Sequence, residues 1–105
     1  MLRLSDTLKE QFNSAQAENL DITVAFTWPD GECRVGLHGG DVNFFDDLSQ
    51  APAAELIIYF RDETLATEIL CGRYSPIDAF MRGEFRSNGY LMWVFQSLQA
   101  FSKAP

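Results

Sequence analysis

Few residues of this 105-residue chain have the types and spacing that chemistry requires. His38 is the single histidine, so the chain can build neither a histidine-based metal cluster nor a paired-histidine site. His38-Gly39-Gly40 matches the oxyanion strand of some hydrolases, but the chain has no Gly-x-Ser-x-Gly nucleophile elbow. A tight hairpin turn accounts for the two glycines. Asp46-Asp47 and Asp62-Glu63 are adjacent acids. Two-carboxylate catalysis needs acids facing each other across a cleft, which adjacency does not provide. Asp62 is instead expected to cap a helix. Cys33 and Cys71 form no Cys-x-x-Cys motif and read as reduced thiols in the core. There is no phosphate-binding glycine loop and no dinucleotide fingerprint. The reading is of a protein that is not an enzyme and uses no cofactor and no metal.

The informative chemistry is apolar and lies near the C-terminus. Leu91, Val94, Phe95, Leu98 and Phe101 fall on one helical stripe, which suffices to pack a helix on a sheet. Tyr90, Met92 and Trp93 surround its first turn outside that stripe. Ile77, Phe80 and Met81 precede it, with Phe85 between the two groups. This excess has two explanations. It is ordinary core with methionines filling gaps, or it lines an apolar cavity or its mouth.

The elements that must position these residues follow from period and punctuation. Leu4, Leu8, Phe12 and Ala15 recur at helical spacing and predict a helix over 2–18, with Asn19 as its left-handed stop. The period then shortens. Ile22, Val24, Phe26 and Trp28 alternate, as do Cys33, Val35 and Leu37, and Val42 and Phe44 begin a third strand. Pro29-Asp30-Gly31 and Gly39-Gly40 supply the turns, with Asp30-Gly31 suited to positive φ. The other face of this meander is polar: Thr23, Thr27, Arg34, His38 and Asn43. Residues 46–54 read as a connection. Leu56–Phe60 is apolar on both parities and predicts a strand covered on both faces. Asp62 opens a helix ending at Gly72, and Ser75-Pro76 opens a short one ending at Gly83. A brief strand over 84–87 and a helix over 90–103 complete an order of α-β-β-β-crossover-β-α-α-β-α.

Composition bounds the partners. Apolar residues make up 47% and charged residues 22%, globular proportions that predict one domain over residues 1–105. The net charge is −7, carried by residues 1–60, whereas residues 61–105 balance five acids against five bases. Such a chain lacks the basic footprint of a nucleic-acid binder. Any anionic ligand is better met by Arg61, Arg73, Arg82 and Arg86 in the neutral half. No apolar run approaches the ~20 residues of a membrane span, and no leader is apparent, so a cytoplasmic setting is expected.

The segment Ile69-Leu70-Cys71-Gly72 through Ser75-Pro76, Ala79, Met81, Gly83 and Gly89 resembles the sterol carrier protein 2 family. The strand Leu56–Phe60 followed by Asp62, and the element order, extend the resemblance over essentially the whole chain. It departs at Glu84, where many members carry lysine, and at Tyr90, where many carry aspartate. The resemblance implies an α/β fold with a five-stranded, mostly antiparallel sheet and helices packed on one face. It also implies a non-catalytic lipid carrier, bacterial in setting. Its apolar tunnel between sheet and helices would hold a fatty acyl, sterol-like or prenyl lipid. Ile77, Phe80, Met81, Phe85, Leu91, Met92, Phe95 and Leu98 would line it, and Arg82 or Arg86 would meet an anionic headgroup. Some relatives are accessory factors in ubiquinone biosynthesis, and others are domains of alkyl sulfatases. Transient membrane contact, a partner enzyme or a homodimer therefore stand as further partners. In an interaction module with a filled core, Tyr90 and Trp93 would serve as anchors.

Overall fold

Side chains of a strand point alternately to opposite faces of its sheet, and the apolar residues of this chain respect that parity. Residues 4–13, 17–45, 48–89 and 91–101 are described by the computed structural model. Helix α1 (Leu4–Gln11) leads into strands β1 (Asp21–Trp28), β2 (Gly31–His38) and β3 (Asp41–Phe45). After a crossover come β4 (Leu56–Phe60), α2 (Glu63–Leu70), α3 (Pro76–Met81), β5 (Phe85–Ser87) and α4 (Leu91–Gln99). The strands form one sheet in the order β3-β2-β1-β4-β5. Every neighbouring pair is antiparallel except β1 and β4, which run parallel, as the crossover requires. The α/β architecture, with its five-stranded, mostly antiparallel sheet, is the one expected.

Ile22, Val24 and Phe26 of β1, Cys33, Val35 and Leu37 of β2, Leu56, Ile58 and Phe60 of β4, and Phe85 of β5 are all buried. Register aligns them, with Phe26 opposite both Cys33 and Ile58 and Phe60 opposite Phe85. The helices cover this face with Leu8, Leu65, Ala66, Ile69, Leu70, Val94 and Leu98. Phe101, just beyond α4, is fully buried. Its ring lies 5.8 Å from Phe12, 5.8 Å from Phe26 and 6.2 Å from Phe44. It therefore ties the chain near α1, the middle strand and an edge strand to the C-terminal helix.

Local chemistry sets the ends. The Asp62 carboxylate accepts the Leu65 backbone N–H at 2.7 Å and caps α2. Ser75 caps α3, with Pro76 in its first turn. Gly39 and Gly40 have φ of 59° and 95°, and so close the β2–β3 hairpin in a conformation other residues resist.

Five expectations change. α1 ends at Gln11 rather than reaching residue 18, because the Asn13 N–H is drawn to the Ala100 carbonyl at 2.7 Å. Ala15 and the side chain of Leu4 lie outside the described residues, and Asn19 is not left-handed. Gly31 also lacks a positive φ. Its missing side chain makes room for the Trp28 indole, which an added Cβ would meet at 3.0 Å.

The outer face of the sheet is not simply polar, since Thr23 and Ala25 are buried. The crossover closes over it, with Arg34 Nη1 donating to the Pro52 carbonyl at 3.0 Å. Conversely, β4 is covered on one face only. Ile57 is half-buried and Tyr59 is 47% exposed, because the crossover does not extend over that end.

Phe101→Ala is expected to cost about 3–5 kcal/mol in urea denaturation, the range for an aromatic removed from a packed core. Asp62→Ala should melt earlier than the parent at neutral pH. The Leu65 amide bond holds the Asp62 carboxyl below 3.8, outweighing opposing desolvation, with Arg61 adding to the depression. The contribution of Asp62 to stability is therefore full above about pH 4 and disappears as pH falls through its lower folded-state value. The melting difference between parent and variant should close over that acid window.

Candidate functional site

The helical layer leaves a gap where the short α3 meets α4. With six residues and a buried Ala79, α3 turns one small side chain inward. Its larger side chains remain outside: Ile77 is 64% and Met81 78% exposed, and Phe80 is at the rim. Phe80 stacks edge-on to Phe95 of α4 at 5.9 Å and tilts onto Phe85 at 5.8 Å. Phe85 meets Phe60 at 5.8 Å, and Phe60 meets Phe26 at 6.4 Å. A continuous chain of rings thus runs from Phe95 inward to Phe101.

Beside the outer end of this chain lies a cavity of about 720 Å³, lined by Cys71, Gly72, Ser75, Pro76, Ile77, Phe95 and Gln99. This volume falls within the range of small-ligand sites. Three segments enclose it: the end of α2, the capping turn of α3, and one side of α4. The left-handed Gly72, at φ 78°, reverses the chain between the first two.

Of the eight residues expected to hold a ligand, Ile77 and Phe95 line this cavity. Phe80 and Phe85 stand behind Phe95 in the ring chain. Met81, Leu91 and Met92 are exposed on the outer side of the two helices. Leu98 is completely buried in the core. Leu91 thus leaves the stripe read from spacing, and Ser97 takes an inward position on α4 with Val94 and Leu98. Tyr90 lies outside the described residues. Cys71, Ser75 and Gln99 were not expected in a site. Cysteine had been read as core and serine as a cap, and nothing in their spacing marks a cavity.

The two arginines expected at a headgroup lie off the cavity. Arg82 donates from Nη1 to the Tyr74 hydroxyl at 3.3 Å, its guanidinium 5.9 Å from the Tyr74 ring centre. Arg86 pairs with Tyr59 in the sheet and is exposed on the face opposite the helices. The Glu84 carboxylate beside Tyr74, helped by desolvation, raises the Tyr74 pKa. Glu84 thus stands beside the loop after α2, with its Oε2 buried and without a hydrogen-bond partner among the described residues. Arg61 Nη1 approaches Glu84 Oε1 at 3.9 Å from the other side.

Comparison with solved structures places this arrangement. The chain is similar to the sec-alkylsulfatase Pisa1 from Pseudomonas sp., with a TM-score of 0.69 and 16% identity over 93% of this chain. It spans 16% of the length of that enzyme. It is also similar to sterol carrier protein 2 from Yarrowia lipolytica in its apo form, with a TM-score of 0.60 and 15% identity over 94% of this chain and 89% of that one. The chain has the sterol carrier protein 2 fold. UbiJ-SCP2, a ubiquinone synthesis protein, shares this sterol-carrier fold with a TM-score of 0.60 and 14% identity over 90% of this chain and 82% of that one. At these identities the likeness is one of fold. No family model and no curated protein matches the sequence. Among the described residues of this sterol-carrier fold, no helix is long and apolar enough to cross a membrane.

Cys71 reports on the cavity. Burial pushes its thiol above 9.0, against the opposing pull of Arg73. In a Cys33→Ala background, alkylation by iodoacetamide should be slow at neutral pH and accelerate only above about pH 9. Fast alkylation at pH 7 would place the thiol in open water instead.

Proposed function

We propose that this domain binds a lipid in the cavity between α2, α3 and α4 and carries or presents it without catalysing a reaction. The observation carrying this reading is the apolar wall of Pro76, Ile77 and Phe95, continuous through Ile77 with exposed apolar surface on α3. The sterol carriers that share the fold support the same class of ligand. The energetics are sufficient. Each buried methylene contributes roughly 0.8 kcal/mol, so a chain of about sixteen carbons gains on the order of 12 kcal/mol gross. Ordering costs of several kcal/mol leave roughly micromolar affinity or better.

A second reading has its own support. Met81, Leu91, Met92 and Trp93 are exposed together with Ile77, a quantity of apolar surface that suits a protein partner. The ubiquinone synthesis protein of the same fold makes a biosynthetic enzyme a natural candidate for that partner. The two readings are compatible if the helices present a bound lipid to the enzyme that uses it.

Native mass spectrometry of protein purified without detergent, followed by organic extraction, tests the first reading. A stoichiometric lipid adduct is expected. Ile77→Asp, at a position exposed enough to accept the charge, should reduce its retention about tenfold or more. A mass that stays free of ligand after incubation with fatty acids, acyl-CoA and prenylated quinone precursors would leave the interaction module as the function.

A further inference from the structure

The cavity carries information about the polar end of its ligand. Its wall includes no charged side chain among the described residues. Its polar groups are neutral: the Ser75 hydroxyl, the Cys71 thiol, held protonated by burial, and the Gln99 carboxamide. Ser75 Oγ accepts the Asp78 N–H at 3.4 Å, a bond that leaves its own O–H hydrogen free to donate. Gln99 carries both a carbonyl acceptor and an NH₂ donor on an exposed side of α4.

Among the described residues, the neighbouring arginines are engaged elsewhere. Arg73, next to Gly72, donates to Glu68 at 2.9 Å. Arg82 is held by Tyr74, and Arg86 faces away on the other side of the sheet. Asp78 follows the lining residue Ile77. An ionised carboxylate or phosphate entering this cavity would exchange water for neutral dipoles, with no counter-charge among the lining residues.

We infer that the cavity selects a lipid whose polar end is neutral and oxygen-bearing, an alcohol, ester, amide or quinone-type carbonyl, over one whose end is an anion. Ser75 and Gln99 are its specificity-determining residues. Both present hydrogen-bonding groups at the mouth, while Phe95, Ile77 and Pro76 hold the hydrocarbon. This inference rests on the lipid-binding reading and narrows it.

Isothermal titration with 1-decanol and with decanoate at about pH 8, where the acid is ionised, separates the two claims. The chains match in length, so the difference reports the polar end alone. 1-Decanol is expected to bind about tenfold more tightly or better. Gln99→Lys, a cation introduced at an exposed position, should narrow or reverse that preference while circular dichroism shows the fold unchanged. Equal or tighter binding of decanoate by the parent protein would overturn the inference and leave the lipid cavity standing. Failure of both ligands to bind would remove the lipid-binding reading together with it. A preference for 1-decanol that Gln99→Lys leaves unaltered would overturn the role assigned to Gln99.

Discussion

The contact between Phe101 and Phe26 governs the layout of the helical face. A five-stranded sheet with one apolar face must cover that face, and α4 joins α1 and α2 in doing so. Phe101 sets how α4 lies. Its ring meets Phe26 edge-on on the middle strand, with Phe12 and Phe44 on either side. Edge-to-face packing of this kind is directional as well as apolar, so it constrains the rotation of α4 along with its position. With Phe101 seated, Val94, Ser97 and Leu98 turn inward, and Phe95 is carried to the side where α3 approaches.

The cavity is the consequence of covering a wide sheet with short helices. α3 is a single helical turn and a half, begun by Ser75 and Pro76, and stopped where the left-handed Gly83 breaks the backbone. It reaches α4 through Phe80 and Phe95 but does not fill the space between its own first turn and the end of α2. The resulting site is a space at the helical layer, bordered by the apolar surface of Pro76, Ile77 and Phe95.

Much of the scaffold was legible in the residues. Alternation at Ile22, Val24 and Phe26 and at Cys33, Val35 and Leu37 identified strands and their buried face, because strand parity is a local property. Gly39-Gly40 and Ser75-Pro76 marked a turn and a helix start for equally local reasons. What depended on contacts between distant segments was not legible. Thr23 and Ala25 are buried because the crossover returns over them, which their own types do not announce. Tyr59 is exposed because that cover stops short. Leu91 points outward and Ser97 inward because Phe101 sets the rotation of α4, whereas a stripe drawn from apolar spacing favours Leu91. Arg86 fell on the far side of the sheet through its register with Tyr59. The cavity is a space shared by three segments, so its polar members, Cys71, Ser75 and Gln99, had no common signature in the chain.

The account stands on ligand entering this space. The most direct measurement is a two-dimensional amide NMR titration of the uniformly ¹⁵N-labelled protein with a long-chain lipid. Shift changes should saturate and concentrate at Cys71, Gly72, Ser75, Ile77, Phe95 and Gln99, leaving Tyr59 and Arg86 on the opposite face unmoved. Saturable changes centred on the outer face, or a spectrum that does not respond to any lipid, would contradict it.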